Sequence, residues 1–148
     1  MALKSEREIL NHLIESCRDG ERGFTAAAEH LIDPTLRSLF VQMAAERARC
    51  ADELLPHARR LGGPAAGEGT AVAALHRKWI DVKCALVHEK DHAIVVEAAR
   101  GDGATVNAFK DAIEGSLPPD TRDVVERQYE AIQEEHDWLL TQARHVAM

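Results

Sequence analysis

The sequence predicts an all-α fold: an up-down four-helix bundle with one long helical crossover between its second and third helices. Three observations predict it. Ala, Leu, Glu and Arg dominate the composition, while aromatic residues make up only 4% of it, a mixture that favours helix. Apolar residues recur in alternating steps of three and four, the seam of a bundle helix. Turn signals divide the chain into four long segments and one shorter one. There is no alternating β-branched run and no hairpin signal of the Asn-Gly kind.

Each element follows from local chemistry. Ser5 with Glu8 makes a capping box that opens the first helix, expected from about Ser5 to Leu31. Its seam is Leu10, Ile14, Cys17, Glu21, Phe24, Ala28 and Leu31. Asp33-Pro34 is a sharp restart, with Asp as N-cap and Pro at the first helical position. The second helix is expected to run to about Leu61, with the seam Leu36, Leu39, Met43, Glu46, Cys50, Glu53 and His57. Pro56 near its end is expected to kink the last turn. LGGPAAGEGT is a Gly- and Pro-rich linker. The shorter helix then runs from Ala71 to about Val87. The polar break HEKD precedes the third helix, from about His92 to Glu114, with the seam Val95, Ala98, Asp102, Thr105, Phe109 and Ala112. Gly101 and Gly103 flank Asp102, which suggests a close backbone approach or a local distortion. GSLPPD separates this from the fourth helix, expected from about Thr121 to the C-terminus. Its stripe is Val125, Tyr129, Ile132, His136, Leu139 and Ala143.

Helix lengths give the topology. Four helices of about 23 to 28 residues measure roughly 35 to 42 Å each. Joining the Ala71–Val87 helix to the third would make a far longer rod, so the chain is expected to break at HEKD and the short helix to run back along the bundle. One long crossover in a four-helix bundle is the ferritin-like arrangement. The 148 residues are enough for a single domain, residues 1–148, with a proper core.

Composition also excludes. The net charge is -7 with no concentrated basic face, so nucleic acid is not an expected partner. MALKSEREIL lacks the apolar core of a secretory signal, and no apolar stretch approaches the roughly 20 residues of a membrane span. A cytoplasmic protein with no membrane partner is expected. The three cysteines, Cys17, Cys50 and Cys84, are widely spaced and form neither a zinc pattern nor a disulfide framework. Buried, reduced thiols are expected.

The functional lead is four ligand-type residues on apolar seams: Glu21, Glu46, Asp102 and His136. Polar side chains in a packing seam are costly unless paired or coordinated. Counted from the turns, Glu21 and Glu46 lie at matching heights, as do Asp102 and Gln133, with His136 one turn further on. A carboxylate-bridged metal pair in such a bundle takes one carboxylate from each of two helices and Glu-x-x-His from each of the other two. Here Arg49 stands where the second helix should supply histidine, and Gln133 where the fourth should supply glutamate. Two readings follow. Glu21, Glu46, Asp102 and His136 hold a divalent ion (iron, manganese or zinc), with Arg49 and Gln133 at the edge. Alternatively, these residues form a buried salt-bridge cluster that fixes the register of the bundle, with Arg49 paired to Glu46 or a neighbouring carboxylate. Glu53 with His57 is read as a solvated pair. His76, His88 and His92 are read as surface residues.

DGERGF, AERARCADEL, ALHRKW, ARGDGA and EEHDWL, in this order and spacing, resemble a bacterial family of small ferritin-like four-helix-bundle proteins of unknown function, distantly related to rubrerythrins. The resemblance covers roughly Ile9 to Arg144. That family's third helix reads Arg-Gly-Glu-Asp with a Tyr seven residues after the Glu. Here Asp102 and Phe109 stand at those positions, and Ala28 stands seven after Glu21 where related proteins have Tyr. The resemblance implies a fold and a relic or variant metal site, and no reaction. Two functions remain in view. One is a stress-related, non-enzymatic binding or structural module that partners a second copy of itself or another protein. The other is a metal-binding ferritin-like protein with weak oxidase activity.

Overall fold

In the computed structural model, which describes residues 5–62 and 90–146, the expected punctuation marks start the helices. Ser5 caps α1 (Glu6–His30), its hydroxyl accepting the Glu8 backbone N–H at 3.1 Å. Asp33 caps α2 (Pro34–Arg60), its carboxylate accepting the Thr35 N–H at 2.9 Å, with Pro34 at the first helical position. Pro56 lies inside α2, which continues one turn beyond it to Arg60. Gly62, at φ 83°, closes it in the left-handed region that only glycine enters freely. α3 is Lys90–Glu114 and α4 is Pro119–Val146. Each begins two residues earlier than its seam alone suggests, since the first turn of a helix can be polar.

The corners fix the topology. The Asp91 carboxylate, in the first turn of α3, accepts the backbone N–H groups of Ile32 and Asp33 at 2.8 and 2.9 Å. The start of α3 therefore lies at the α1–α2 turn. At the other end, Arg60 in the last turn of α2 bonds Asp120 in the first turn of α4 at 2.7 Å. Arg122 donates to the carbonyls of Ile113 and Gly115, closing the exposed end of α3. α2 and α3 thus run parallel, so Gly62 and Lys90 stand at opposite ends of the bundle. The expected crossover helix over residues 71–87, with Cys84, His76 and His88, lies outside the described residues.

α1 packs on both α2 and α3, α3 packs on α4, and α2 and α4 meet more loosely. The apolar core is divided in two. One half gathers Leu10, Leu13, Cys17, Ala51, Leu54, Phe109 and Ile132. The other gathers Phe24, Leu31, Phe40, Met43, Ile94, Val95 and Leu139, with Phe24 and Phe40 edge to face at 5.5 Å between ring centres. On α2, α3 and α4 a polar layer falls between the halves, at Arg47, at Asp102, and at Glu135 with His136.

Candidate functional site

Arg47 is the centre of this layer. Its side chain is fully buried. One guanidinium nitrogen donates to Asp102 Oδ1 at 3.0 Å and another to Glu135 Oε1 at 2.5 Å. The guanidinium carbon stands 5.4 Å from the centre of the Phe24 ring, a cation–π distance. The arginine stem crosses α1 at Gly20. A Cβ there would lie 3.3 Å from Arg47 Cγ, so the missing side chain gives the stem its passage.

Asp102 uses both carboxylate oxygens. Oδ1 accepts from Arg47, and Oδ2 accepts from His136 Nδ1 at 3.1 Å. That hydrogen bond with Asp102 holds the imidazole above its ordinary pKa, against the opposing effect of burial. Burial works against the charge on Arg47, but Asp102 and Glu135 outweigh it and its pKa rises further. Glu135 behaves differently. Burial, and then a hydrogen bond with Glu46, push its carboxyl up to about 8, against the pull of Arg47. Near neutral pH Glu135 therefore keeps its proton. Oε1 of a protonated Glu135 still accepts from Arg47.

The sequence-expected site residues fall into three places. Asp102 and His136 meet directly. Glu46 lies at the margin: it touches Glu135, but its side chain is 40% exposed and Arg49 stands 3.8 Å from it. Glu21 is outside the buried group, 3.4 Å from Arg18, which also bonds Asp52 at 2.9 Å. Gln133 bonds Tyr129 and Asp137 along its own helix. Glu53 and His57 do not pair with each other. Glu53 is bonded by Gln128 and Arg127, and His57 meets Thr121 at 2.6 Å. His92 is half-buried rather than on the surface, because α3 begins before it.

Sequence reasoning missed Arg47 and Glu135. The seam of α2 was placed one residue off. Met43–Glu46–Cys50 and Met43–Arg47–Cys50 step equally well, and an arginine invites a solvated reading. The available signal was the apolar stripe Phe40, Met43, Ala44, Ala51, Leu54 and Ala58, which centres on Arg47 and which the structure buries.

A divalent ion needs deprotonated ligands with free lone pairs. Here both Asp102 oxygens are taken, Glu135 holds a proton, and a permanent cation occupies the centre. These residues do not fit a bound metal. Among the described residues no group of three or more His, Cys, Asp or Glu is arranged to hold one.

Comparison with known proteins agrees with this architecture at the level of fold. The solved structure of a Dps1 mutant from Mycobacterium smegmatis matches with a TM-score of 0.71 over 93% of each chain at 14% identity. The fold is therefore a ferritin-like helical bundle. No curated protein matches the chain. Residues 5–115 match the family described as Domain of unknown function (DUF2383), and the chain belongs to that family. Among the described residues no helix is long and apolar enough to cross a membrane.

Proposed function

We propose that the chain is a cytoplasmic, stress-related binding or structural module, in which a guanidinium takes the place of a metal at the centre of a ferritin-like bundle. The observation that carries this reading is the buried Arg47 bridging Asp102 and Glu135. An arginine with two carboxylates supplies the positive charge that would otherwise need an ion. It donates through one terminal nitrogen to each of them and cannot be deprotonated at working pH. The layer sets the register of the bundle: sliding any of the three helices by one turn would leave a buried charge unpaired, at a cost of several kcal/mol. The partner of such a module is a second copy of the chain or another protein, engaged through its surface.

The test is metal analysis of protein purified without chelator, together with thermal melting in added Fe(II), Mn(II) and Zn(II). The module reading expects substoichiometric metal and melting shifts that are the same in the parent and in His136→Ala. Stoichiometric metal, with a stabilisation that His136→Ala abolishes, would overturn it and restore the metal-binding alternative with its weak oxidase activity.

A further inference from the structure

Cys17 and Cys50 are both free and lie on facing helices beside the charged layer, Cys17 fully buried and Cys50 half-buried. Their juxtaposition follows from the helix register. Gly20 of α1 faces the stem of Arg47 of α2, where an added Cβ would lie 3.3 Å from Cγ, and the two helices are antiparallel. Three residues back along α1 and three forward along α2, the same register sets Cys17 opposite Cys50. Both belong to one core region, where Cys50 packs against the cluster containing Cys17, Ala51 and Leu54. Arg47 and Cys50 are three apart on α2, so they share a face and the guanidinium charge lies near the Cys50 sulfur.

We propose that Cys17 and Cys50 form a redox-active dithiol, in which Cys50 reacts with a hydroperoxide and Cys17 resolves the product to a disulfide joining α1 to α2. The proposal goes beyond the module reading and does not depend on whether the charged layer binds metal. The two sulfurs are differentiated. The neighbouring Cys17 thiol lowers the pKa of Cys50; burial, Glu53 and Glu46 oppose this and the charge of Arg47 assists it. Cys50 and full burial together raise Cys17. A more ionised, partly accessible sulfur beside a protonated, buried one is the division between an attacking and a resolving thiol.

The chemistry balances. The Cys50 thiolate attacks the terminal oxygen of the hydroperoxide. The S–O bond forms, the O–O bond breaks, and the remainder leaves as an alcohol, or as water from hydrogen peroxide, after taking a proton. Cys17 then attacks the sulfenic sulfur of Cys50. The S–S bond forms, the S–O bond breaks, the Cys17 proton is released, and the oxygen leaves as water. Two thiols are oxidised by two electrons and one hydroperoxide is reduced. Forming the bridge brings the sulfurs to about 2.05 Å.

The test is brief treatment of the reduced full-length chain with hydrogen peroxide, read by intact mass and by a non-reducing tryptic map. Cys17 and Cys50 fall in separate peptides, EILNHLIESCR and CADELLPHAR, and Cys84 in a third, CALVHEK. The expected result is loss of two hydrogens, a linked EILNHLIESCR–CADELLPHAR pair, and a raised melting temperature that reductant reverses. Before oxidation, iodoacetamide should label Cys50 at least about tenfold faster than Cys17. Cys17→Ser should leave a Cys50 sulfenic acid that dimedone traps. A bridge to Cys84, oxidation without linkage, or faster labelling of Cys17 would overturn the proposal, and the map of the unsubstituted chain decides it even if Cys17→Ser does not fold.

Discussion

Arg47 and Arg60 both project from α2 and do similar chemistry in different media. Arg47 bonds Asp102 at 3.0 Å, and His136 shares that aspartate. Arg60 bonds Asp120 at 2.7 Å, and His57 stands beside both. The geometry at the bundle end is at least as tight. Exposure separates them: the side chains of the first pair are 0% and 1% exposed, those of the second 58% and 57%. In water the Coulomb gain is screened and nearly cancelled by the entropy of holding two side chains together. In the core, neither partner can fall back on water. The lesson is that a short ion pair says little about stability until its surroundings are known. The middle layer specifies the fold, while the end pair decorates a corner.

The largest test of this contrast removes one partner from each site. Asp102→Ala should destabilise the bundle by about 3–5 kcal/mol, because it removes a buried anion from Arg47 and leaves that charge in the interior with Glu135 alone. Asp120→Ala should change the denaturation midpoint little. Chemical denaturation of the two variants beside the parent measures both. Equal effects would mean that water reaches the middle layer.

A milder substitution probes bridging rather than charge. Arg47→Lys keeps the cation but loses the planar fork that reaches Asp102 and Glu135 together, and should cost roughly 1–3 kcal/mol. Arg60→Lys should be neutral within error. A silent Arg47→Lys would show that one carboxylate contact is enough.

Protons give a third contrast. Glu135 is raised from the usual glutamate value to about 8, so the folded state holds a proton that the unfolded state has already released above about pH 4.5. Stability should therefore fall as pH rises through that interval. His136, raised by Asp102, adds a term of the same sign: its contribution is complete below the ordinary histidine range and is lost as pH passes the raised value. Asp120 at the bundle end is lowered by Arg60 and acts in the opposite sense, its contribution disappearing only in acid. Thermal melting from pH 5 to 9 should show declining stability, and Glu135→Gln should flatten the decline. A melting temperature that rises across this range would mean that Glu135 is ionised against Arg47 throughout.

These residues also show where sequence reading works and where it stops. The four long helices were legible because Ser5, Asp33-Pro34 and the prolines at 118 and 119 act locally. Asp102 and His136 were legible because each interrupts an apolar stripe. Arg47 and Glu135 were not, because the choice between adjacent seam positions depends on which helix faces which. Glu135 and His136 lie three and four residues after Ile132, so both fit the stripe, and only the fold brings both to Arg47. Glu21 and Glu46 fitted their stripes equally well, yet they turned towards Arg18 and Arg49 at the surface. A long flexible side chain near a seam edge reaches water if it can.

The smallest predicted effect asks how firmly the buried arginine is held. Gly20 and Gly23 sit three residues apart in the interior of α1. A Cβ at Gly23 would meet nothing within 4 Å, whereas one at Gly20 would press on the Arg47 stem at 3.3 and 3.4 Å. Gly23→Ala should stabilise the protein by about 0.5–1 kcal/mol, the usual gain from replacing glycine within a helix. Gly20→Ala earns the same backbone term but must displace Arg47 by a few tenths of an ångström. Because the guanidinium is bonded to Asp102 on one side and Glu135 on the other, that displacement strains two hydrogen bonds at once. The net effect at Gly20 should therefore be clearly below that at Gly23, and repeating both substitutions in an Arg47→Met background should bring the two together. Equal gains in the parent protein would show that Arg47 shifts freely, and that the middle layer is held no more firmly than the pair at the end of the bundle.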